Sequence, residues 1–291
     1  MKKIKLKIPA KVNLTLDILG VKKGYHMIKS LVASINLYDT VTLIKRRDNV
    51  ITLRERGFKA GCPINENNSF KSAKLFMQTF FTPGVDIIID KKIPLSGGLG
   101  GSSADSVAVL QGLNKLYDIN GALKPLAEQM GSDTVYMLNG GFAVLQGRGE
   151  EVTHLDFHKK LYMILITEKT GITAKEGYAL YDQLAPEKRP TTDLAVDFLG
   201  KRGENAFNQF ANQIKNDLYP VAVQKMPVIK RNVEKLLGSG AIASTLTGSG
   251  SVTYGIYKNK KARDEAYKKL LSNFPASRLI KAETLPPHGQ I

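Results

Sequence analysis

The sequence is short of cysteine and of long apolar runs. Of its 291 residues only Cys62 is a cysteine, so no disulfide can form within the chain, as is typical of proteins in a reducing compartment. The N-terminal stretch MKKIKLKIPAK has no apolar core of signal-peptide length, and apolar residues nowhere run on for the roughly 18 positions that a transmembrane helix needs. These absences favour a cytoplasmic protein.

Repeats, low-complexity tracts and metal-binding motifs are also missing. Cysteine and histidine do not cluster at the spacing of a zinc site, so no metal held by protein ligands is predicted. With 43% hydrophobic and 23% charged residues, the composition is that of an ordinary globular protein. The chain is longer than the size at which single cores stop growing, which predicts two domains.

Acidic residues are scarce relative to basic ones. The 42 Lys and Arg against 26 Asp and Glu give a formal net charge of +16, an excess that is common in proteins that neutralise nucleic-acid phosphates. The basic residues are nevertheless spread over both halves of the chain, in short runs mixed with acidic or apolar residues. This distribution favours solubility and attraction of small anionic molecules over a nucleic-acid surface.

Apolar patterning predicts an α+β fold, because strands and helices are segregated rather than strictly alternating. The strands predicted in the first half are Ile4–Ile8, Val12–Ile18, Ser30–Leu37, Asp39–Ile44, Val50–Arg54 and Val85–Asp90. The helices predicted there are Ser69–Phe80, Ala104–Tyr117 and Leu123–Met130. The polar stretch EEVTHLDFHKK then precedes a new apolar strand, LYMILIT, which predicts domains at 1–157 and 158–291.

A loop rich in glycine and serine, IPLSGGLGGSSADS, joins a predicted strand to a predicted helix. The first N–H groups of a helix have no intrahelical partner, and the macrodipole adds partial positive charge there. Glycines let the backbone approach a ligand closely and turn successive N–H groups towards one anion. The segment therefore predicts a phosphate-binding loop, with Ser102, Ser103 and Ser106 as further hydroxyl donors or as a helix cap.

Two common nucleotide-binding motifs do not fit this loop. A Walker loop requires a lysine after the glycines, and none follows them. A dinucleotide fingerprint begins at Gly98 and Gly100, but Ser103 stands where its third glycine is required. From the glycines alone, a flexible strand-to-helix connection stays an open alternative.

Further stretches accompany this loop in a characteristic order. PAKVNLTLDILG begins at Pro9 and is followed by KGYH, while STLTGSGSVTYGIY ends at Tyr257. With GLGGSSAD between them, the chain resembles the GHMP kinase superfamily over nearly its whole length. The stretches GSDTVYML, GRGE and NDLYP are similar to its branch that phosphorylates 4-diphosphocytidyl-2-C-methyl-D-erythritol in non-mevalonate isoprenoid precursor synthesis. The resemblance implies a two-domain GHMP kinase fold, with a ribosomal-protein-S5-domain-2-like N-terminal domain that carries the ATP-phosphate loop and a ferredoxin-like C-terminal domain.

The resemblance also implies two catalytic side chains. Asp133, in MGSDTVYM, matches the aspartate that takes the proton of the acceptor hydroxyl at C2 of the erythritol unit, although an aspartate there is also well suited to cap the following helix. Lys11 matches the lysine that keeps this carboxylate ionised and offsets charge developing during transfer. Phosphoryl transfer requires mainly such positioning and charge stabilisation.

Binding residues are implied in the same way. ATP, with Mg²⁺ arriving bound to it, is expected at Pro94, Gly97, Gly98, Leu99, Gly100, Gly101, Ser102, Ser103, Asp105 and Asn67. The acceptor is expected at Asn13, Tyr25, His26, Tyr178, Thr247, Gly248, Ser249 and Gly250. An aromatic face at Tyr25 would stack on cytosine, whereas Tyr178 is equally well explained by helix packing. For the 247–250 turn, a tight hairpin that only links two strands stays an open alternative.

Several positions depart from the usual pattern of the family. Thr134 follows Asp133 where proline is usual, and Lys23 stands where aspartate is typical. Two alternatives therefore stay open, a related kinase acting on another small alcohol and a non-catalytic nucleotide- or RNA-binding homologue. The expected partner is a small molecule with a cytidine diphosphate group, without membrane or nucleic acid, and the chain is expected to be a monomer or a homodimer.

Overall fold

The computed structural model describes residues 2–184 and 189–287. Within these residues the strands form one sheet of eight strands and one of four, and helices pack against both. The predicted α+β class is confirmed. Of the helices in this part of the chain, none is long and apolar enough to cross a membrane.

The larger sheet is organised around its third strand, to which β1, β2, β5 and β6 are hydrogen-bonded. Its strands are β1 (Lys3–Asn13), β2 (Thr15–Lys22), β3 (Tyr25–Lys45), β4 (Ile51–Gly57), β5 (Val85–Lys91), β6 (Phe142–Gln146), β7 (Glu151–Leu155) and, later in the chain, β9 (Lys215–Asn216). Strands β4 and β9 run parallel to β5 and β2, and the remaining pairs are antiparallel.

Strand β3 is longer than the sequence predicts. The expected strands Ser30–Leu37 and Asp39–Ile44 are one continuous strand, because a bulge absorbs the irregularity between them: Pro9 lies opposite Tyr38, but the next residue of β1 lies opposite Ile35. Conversely, the expected strand Val12–Ile18 is interrupted after Asn13, where β1 ends and β2 begins. A bulge has no signature in apolar periodicity.

The smaller sheet is antiparallel throughout, in the order β10, β11, β8, β12. Its strands are β8 (Tyr162–Ile166), β10 (Ala243–Leu246), β11 (Thr253–Tyr257) and β12 (Leu279–Glu283). The change from the first sheet to the second thus falls between β7 and β8, which brackets the predicted boundary at 157. Strand β9 nevertheless joins the first sheet, and the exact boundary stays a prediction.

Ten helices surround the sheets in the described residues. They are α1 (Asn68–Phe80), α2 (Gly101–Tyr117), α3 (Lys124–Met130), α4 (Ser132–Met137), α5 (Ala174–Leu184), α6 (Thr192–Gly200), α7 (Glu204–Asn212), α8 (Tyr219–Lys225), α9 (Val228–Gly238) and α10 (Lys260–Leu270). Helix α2 is buried on almost every side, not only on its expected stripe, since Val109 and Gln111 are buried as well as Val107 and Leu110. This position holds the N-terminus of α2 firmly.

Apolar side chains of both sheets belong to one continuous core. Ile8 and Val12 of the first sheet share it with Met163, Leu165 and Tyr254 of the second. The Tyr254 hydroxyl also donates a 2.9 Å hydrogen bond to the Asn13 carbonyl oxygen. The two sheets are therefore fixed against each other, and the site described next lies where they meet.

Candidate active site

A cavity of about 660 Å³ opens at the N-terminus of α2, a volume typical of small-molecule sites. The predicted site residues that line it are Lys11, Asn13, Pro94, Gly97, Gly98, Leu99, Gly100, Gly101, Ser102, Ser103, Asp133, Tyr178, Gly248 and Ser249. The predicted residues that do not line it are Asn67, Asp105, Tyr25, His26, Thr247 and Gly250. The fold thus brings most of the expected ATP, catalytic and acceptor residues to one place.

The glycine-rich loop has the backbone that an anion-binding loop requires. Gly98 and Gly100 have φ values of +75° and +71°, which other residues rarely adopt. Gly100 is the N-cap of α2, and no side chain caps that end. The first intrahelical bond is the one from the Ala104 N–H to the Gly100 carbonyl, so the N–H groups of residues 101–103 are available to a ligand at the cavity.

The loop is held by both halves of the chain. The Lys11 N–H donates to the Leu99 carbonyl at 3.0 Å, and the Thr247 hydroxyl donates to the Gly98 carbonyl at 3.1 Å. Gly98 also lies directly against the second glycine turn, since a Cβ on it would be 2.0 Å from the Thr247 carbonyl oxygen. Glycine is needed at position 98 because the backbone has a positive φ and because a side chain would collide with the Thr247 carbonyl.

If ATP binds at this loop as the resemblance implies, Gly98→Ala should raise its KM about tenfold, because a left-handed L-residue costs about 1–2 kcal/mol and the Thr247 carbonyl has to move. Steady-state kinetics with varied ATP measure this. Gly240→Ala is the matched control, since Gly240 also has positive φ (+106°) but no atom within 4 Å of the added Cβ. An equal KM in the two variants would contradict the assigned role of the loop.

Lys11 and Asp133 form an ion pair at the wall of the cavity. The Lys11 Nζ lies 3.3 Å from Asp133 Oδ2 and donates a 2.7 Å hydrogen bond to Asn13 Oδ1. Lys11 is only 4% exposed, whereas a third of the Asp133 side chain is accessible. The ammonium is therefore fixed within the protein, and the carboxylate is open to a ligand.

Asp133 does not cap the helix in which it lies. The N-cap of α4 is Gly131, with φ of +140°, and no side chain accepts a hydrogen bond there. The alternative interpretation of Asp133 as a helix cap is therefore wrong. Its carboxylate contacts Lys11 instead.

Asn13 is held by protein contacts at both ends of its amide. Its Oδ1 accepts from Lys11, and its Nδ2 donates to Ser30 Oγ at 2.8 Å. Its backbone N–H donates to Thr247 Oγ1 at 2.9 Å. Asn13 thereby links the lysine to the second glycine turn. Thr247 is fully buried behind this turn, which explains why it does not line the cavity.

A buried ionic cluster lies beneath the glycine-rich loop. Lys91, at the end of β5, donates to Asp39 at 2.8 Å and to Asp105 of α2. The other oxygen of Asp39 accepts from the N–H groups of Lys92 and Ile93, which lead into the loop. The cluster thus fixes where the loop begins and where α2 turns away from it.

The protonation of this cluster follows from its burial. Burial raises the pKa of Asp105, against the opposing charge of Lys91. Burial lowers the pKa of Lys91, but the charges of Asp105 and Asp39 outweigh it and leave that pKa above its ordinary value. A protonated Asp105 leaves a neutral cluster in which Lys91 is paired with Asp39.

Two aromatic rings, His26 and Tyr178, stack beside the cavity. The His26 imidazole lies 4.5 Å from the Tyr178 ring, with 12° between the planes, and its Nε2 is 2.8 Å from Asp182 Oδ1. Burial, with a smaller effect from the charge of Asp133, raises the pKa of Tyr178 to about 12, so the phenol stays neutral. Tyr178 lines the cavity and His26 supports it from behind.

Comparison with known proteins assigns the chain to a family. The family models described as "GHMP kinases N terminal domain" and "GHMP kinases C terminal" match residues 67–144 and 197–276. The 4-diphosphocytidyl-2-C-methyl-D-erythritol kinase of Clostridium tetani is 34% identical over 278 residues, which cover 93% of this chain and 97% of that protein. The chain belongs to this kinase family. The kinase of the same description from Alkaliphilus metalliredigens is 32% identical and covers 97% of both chains.

Membership of the GHMP kinases makes the protein an ATP-dependent small-molecule kinase and confirms the two-domain fold of the superfamily. A crystal structure of 4-(cytidine 5'-diphospho)-2C-methyl-D-erythritol kinase superposes with a TM-score of 0.79 at 23% identity, covering 96% of this chain and 98% of that one. The L. major mevalonate kinase superposes with a TM-score of 0.74 at 15% identity, covering 99% and 98%. These structures establish the common fold.

Two predicted nucleotide contacts of this kinase lie outside the cavity. Asn67 is 8% exposed and caps α1, where its Oδ1 accepts from the Ser69 N–H at 2.9 Å. Asp105 is buried in the cluster with Lys91. Asn67 and Asp105 are expected to contact ATP only because of their positions in the sequence motifs. A motif does not show which way a side chain points, and these two make contacts outside the cavity.

One charged residue of the cavity received no role from the sequence. Arg148 lines it, and its guanidinium lies 4.8 Å from the centre of the Tyr25 ring. Tyr25 was predicted to stack on cytosine, but it does not line the cavity and its ring is in contact with Arg148. The motif GRGE could have indicated Arg148 as a ligand-binding residue, because an arginine between two glycines is an exposed cation on a turn.

Proposed function

We propose that this kinase transfers the γ-phosphoryl group of ATP to the C2 hydroxyl of 4-diphosphocytidyl-2-C-methyl-D-erythritol. The observation that carries the proposal is the 3.3 Å approach of Lys11 to Asp133 in the cavity that the glycine-rich loop opens into. Tyr178, which lines the cavity and stacks on His26, supports a nucleoside-linked acceptor, because an aromatic ring at a cavity wall suits a base better than a small aliphatic alcohol.

The proposed reaction assigns a step to each group. The N–H groups at the start of α2 bind the phosphates of ATP, and Asp133 accepts the proton of the acceptor hydroxyl as its oxygen attacks the γ-phosphorus. The bond to the bridging oxygen breaks, and ADP leaves. Lys11 stabilises the negative charge on the transferred group and holds the Asp133 carboxylate in place.

Mg²⁺ fits this cavity only as a companion of ATP. Among the described residues, no group of three or more His, Cys, Asp or Glu side chains is arranged to hold a metal ion, and the carboxylate that lines the cavity is that of Asp133. Phosphate oxygens and water would therefore supply most of the ligands, as is usual for Mg²⁺, with the Ser102 and Ser103 hydroxyls beside them. The ion would neutralise charge on the phosphates.

Release of ADP by the purified protein tests the proposal. With 4-diphosphocytidyl-2-C-methyl-D-erythritol as acceptor, kcat/KM should exceed the values for mevalonate and homoserine at least about a hundredfold, because those acceptors leave the base-binding residues without a partner. Phosphorus NMR of the product should show a new phosphomonoester. If the acceptor does not raise the rate of ADP release, the proposal is contradicted. The proposed location of the protein is the cytoplasm.

A further inference from the structure

Arg148 lies on a turn that is fixed on two sides. The Gly147 carbonyl accepts a 2.7 Å hydrogen bond from the Ile28 N–H of β3, and the Glu150 carboxylate accepts from the Arg148 N–H at 2.6 Å. On the other side, a Cβ on Gly149 would lie 3.3 Å from the Cβ of Ser132, the residue before Asp133. The turn therefore sits between the strand that carries His26 and the helix that carries Asp133.

The guanidinium of Arg148 is available to a ligand in the cavity. Among the described residues that line the cavity, the positively charged side chains are Lys11 and Arg148. Lys11 is already engaged by Asn13 and Asp133. Arg148 forms a long 3.5 Å contact from Nε to Glu150, and its terminal nitrogens form no hydrogen bond with a described residue.

The position of this guanidinium matches the chemistry of the proposed acceptor, on which the present inference rests. If the base lies against Tyr178 and the reacting hydroxyl at Asp133, the diphosphate of the acceptor lies between them. A guanidinium binds phosphate oxygens through two parallel hydrogen bonds. We infer that Arg148, whose guanidinium lies 4.8 Å from the centre of the Tyr25 ring, binds the diphosphate of the acceptor.

Binding of cytidine diphosphate and of cytidine tests this inference by calorimetry. A saturating non-hydrolysable ATP analogue keeps both probes out of the nucleotide site. The wild-type protein should bind cytidine diphosphate more tightly than cytidine, and Arg148→Met should weaken binding of the diphosphate about tenfold to a hundredfold, with cytidine changed less than about twofold. Arg231→Met, an exposed arginine of α9, is the matched control and should leave both affinities unchanged.

An unchanged ratio of the two affinities in Arg148→Met would overturn the diphosphate role.

Failure of this inference is distinguishable from failure of the proposed function. The role of Arg148 alone is refuted if the wild-type protein phosphorylates the acceptor but the Arg148→Met variant keeps the full preference for cytidine diphosphate over cytidine. Absence of turnover by the wild-type protein refutes the proposed function, whatever the affinities are.

Discussion

Replacing Asp133 by asparagine should lower kcat about a thousandfold, because general-base groups contribute about 10² to 10⁴ to rate and the amide cannot accept the hydroxyl proton. Asparagine has nearly the same shape, so the contact with Lys11 and the start of α4 should persist. Affinity for the non-hydrolysable ATP analogue should stay within about threefold, since the phosphate ligands proposed above are main-chain N–H groups at the start of α2 and not the Asp133 side chain.

Single-turnover kinetics and calorimetry measure these two effects separately. Ser132→Ala changes the neighbouring residue of the same cavity wall and serves as the control for local disturbance of α4. Its kcat should remain within about tenfold of wild type. If Asp133→Asn retained a tenth or more of the wild-type kcat, Asp133 could not be the base.

Substitution Lys91→Met should lower the free energy of unfolding by about 3–5 kcal/mol, because it leaves the Asp39 carboxylate buried without its counter-ion. This is a large part of the roughly 5–15 kcal/mol that stabilises a typical protein. The loop should also lose its fixed starting point, since Asp39 orients the N–H groups of Lys92 and Ile93. Denaturant unfolding followed by circular dichroism measures the first effect.

A neighbouring lysine provides the control for this prediction. Lys92→Met alters an exposed side chain one residue further on and should change stability by less than about 0.5 kcal/mol. The double variant Lys91→Met with Asp39→Asn should regain part of the loss, because the uncompensated charge is gone. A Lys91→Met protein as stable as Lys92→Met would refute the structural role of the cluster.

The sequence predicts the site well where function depends on the main chain. The glycine-rich loop, the helix after it and the strand before it follow from apolar spacing and from glycine's conformational freedom, and each is present. Lys11 and Asp133 were paired through family resemblance, since 122 positions separate them and no periodicity connects them. Only the folded chain brings them to 3.3 Å.

The errors concern the direction of side chains. Asn67 and Asp105 stand within or beside the correct motifs but point into a helix cap and a buried cluster. Tyr25 is the first residue of β3, outside the predicted strand Ser30–Leu37, and its ring contacts Arg148, which local sequence could not reveal because the two residues are 123 positions apart. The contact between Tyr25 and Arg148 depends on how β3 pairs with β6, where Ser30 lies opposite Leu145.

The contact between Gly98 and Gly248 constrains how this enzyme can evolve. The Cα of Gly98 occupies the space in which a Cβ on Gly248 would lie, at 2.9 Å, just as the Thr247 carbonyl occupies that of a Cβ on Gly98. The main chain of each turn thus limits which residues the other turn can accept, although the two turns are encoded in opposite halves of the gene. A chimera that joins the halves of two relatives would preserve the nucleotide loop only if both turns keep the same backbone path.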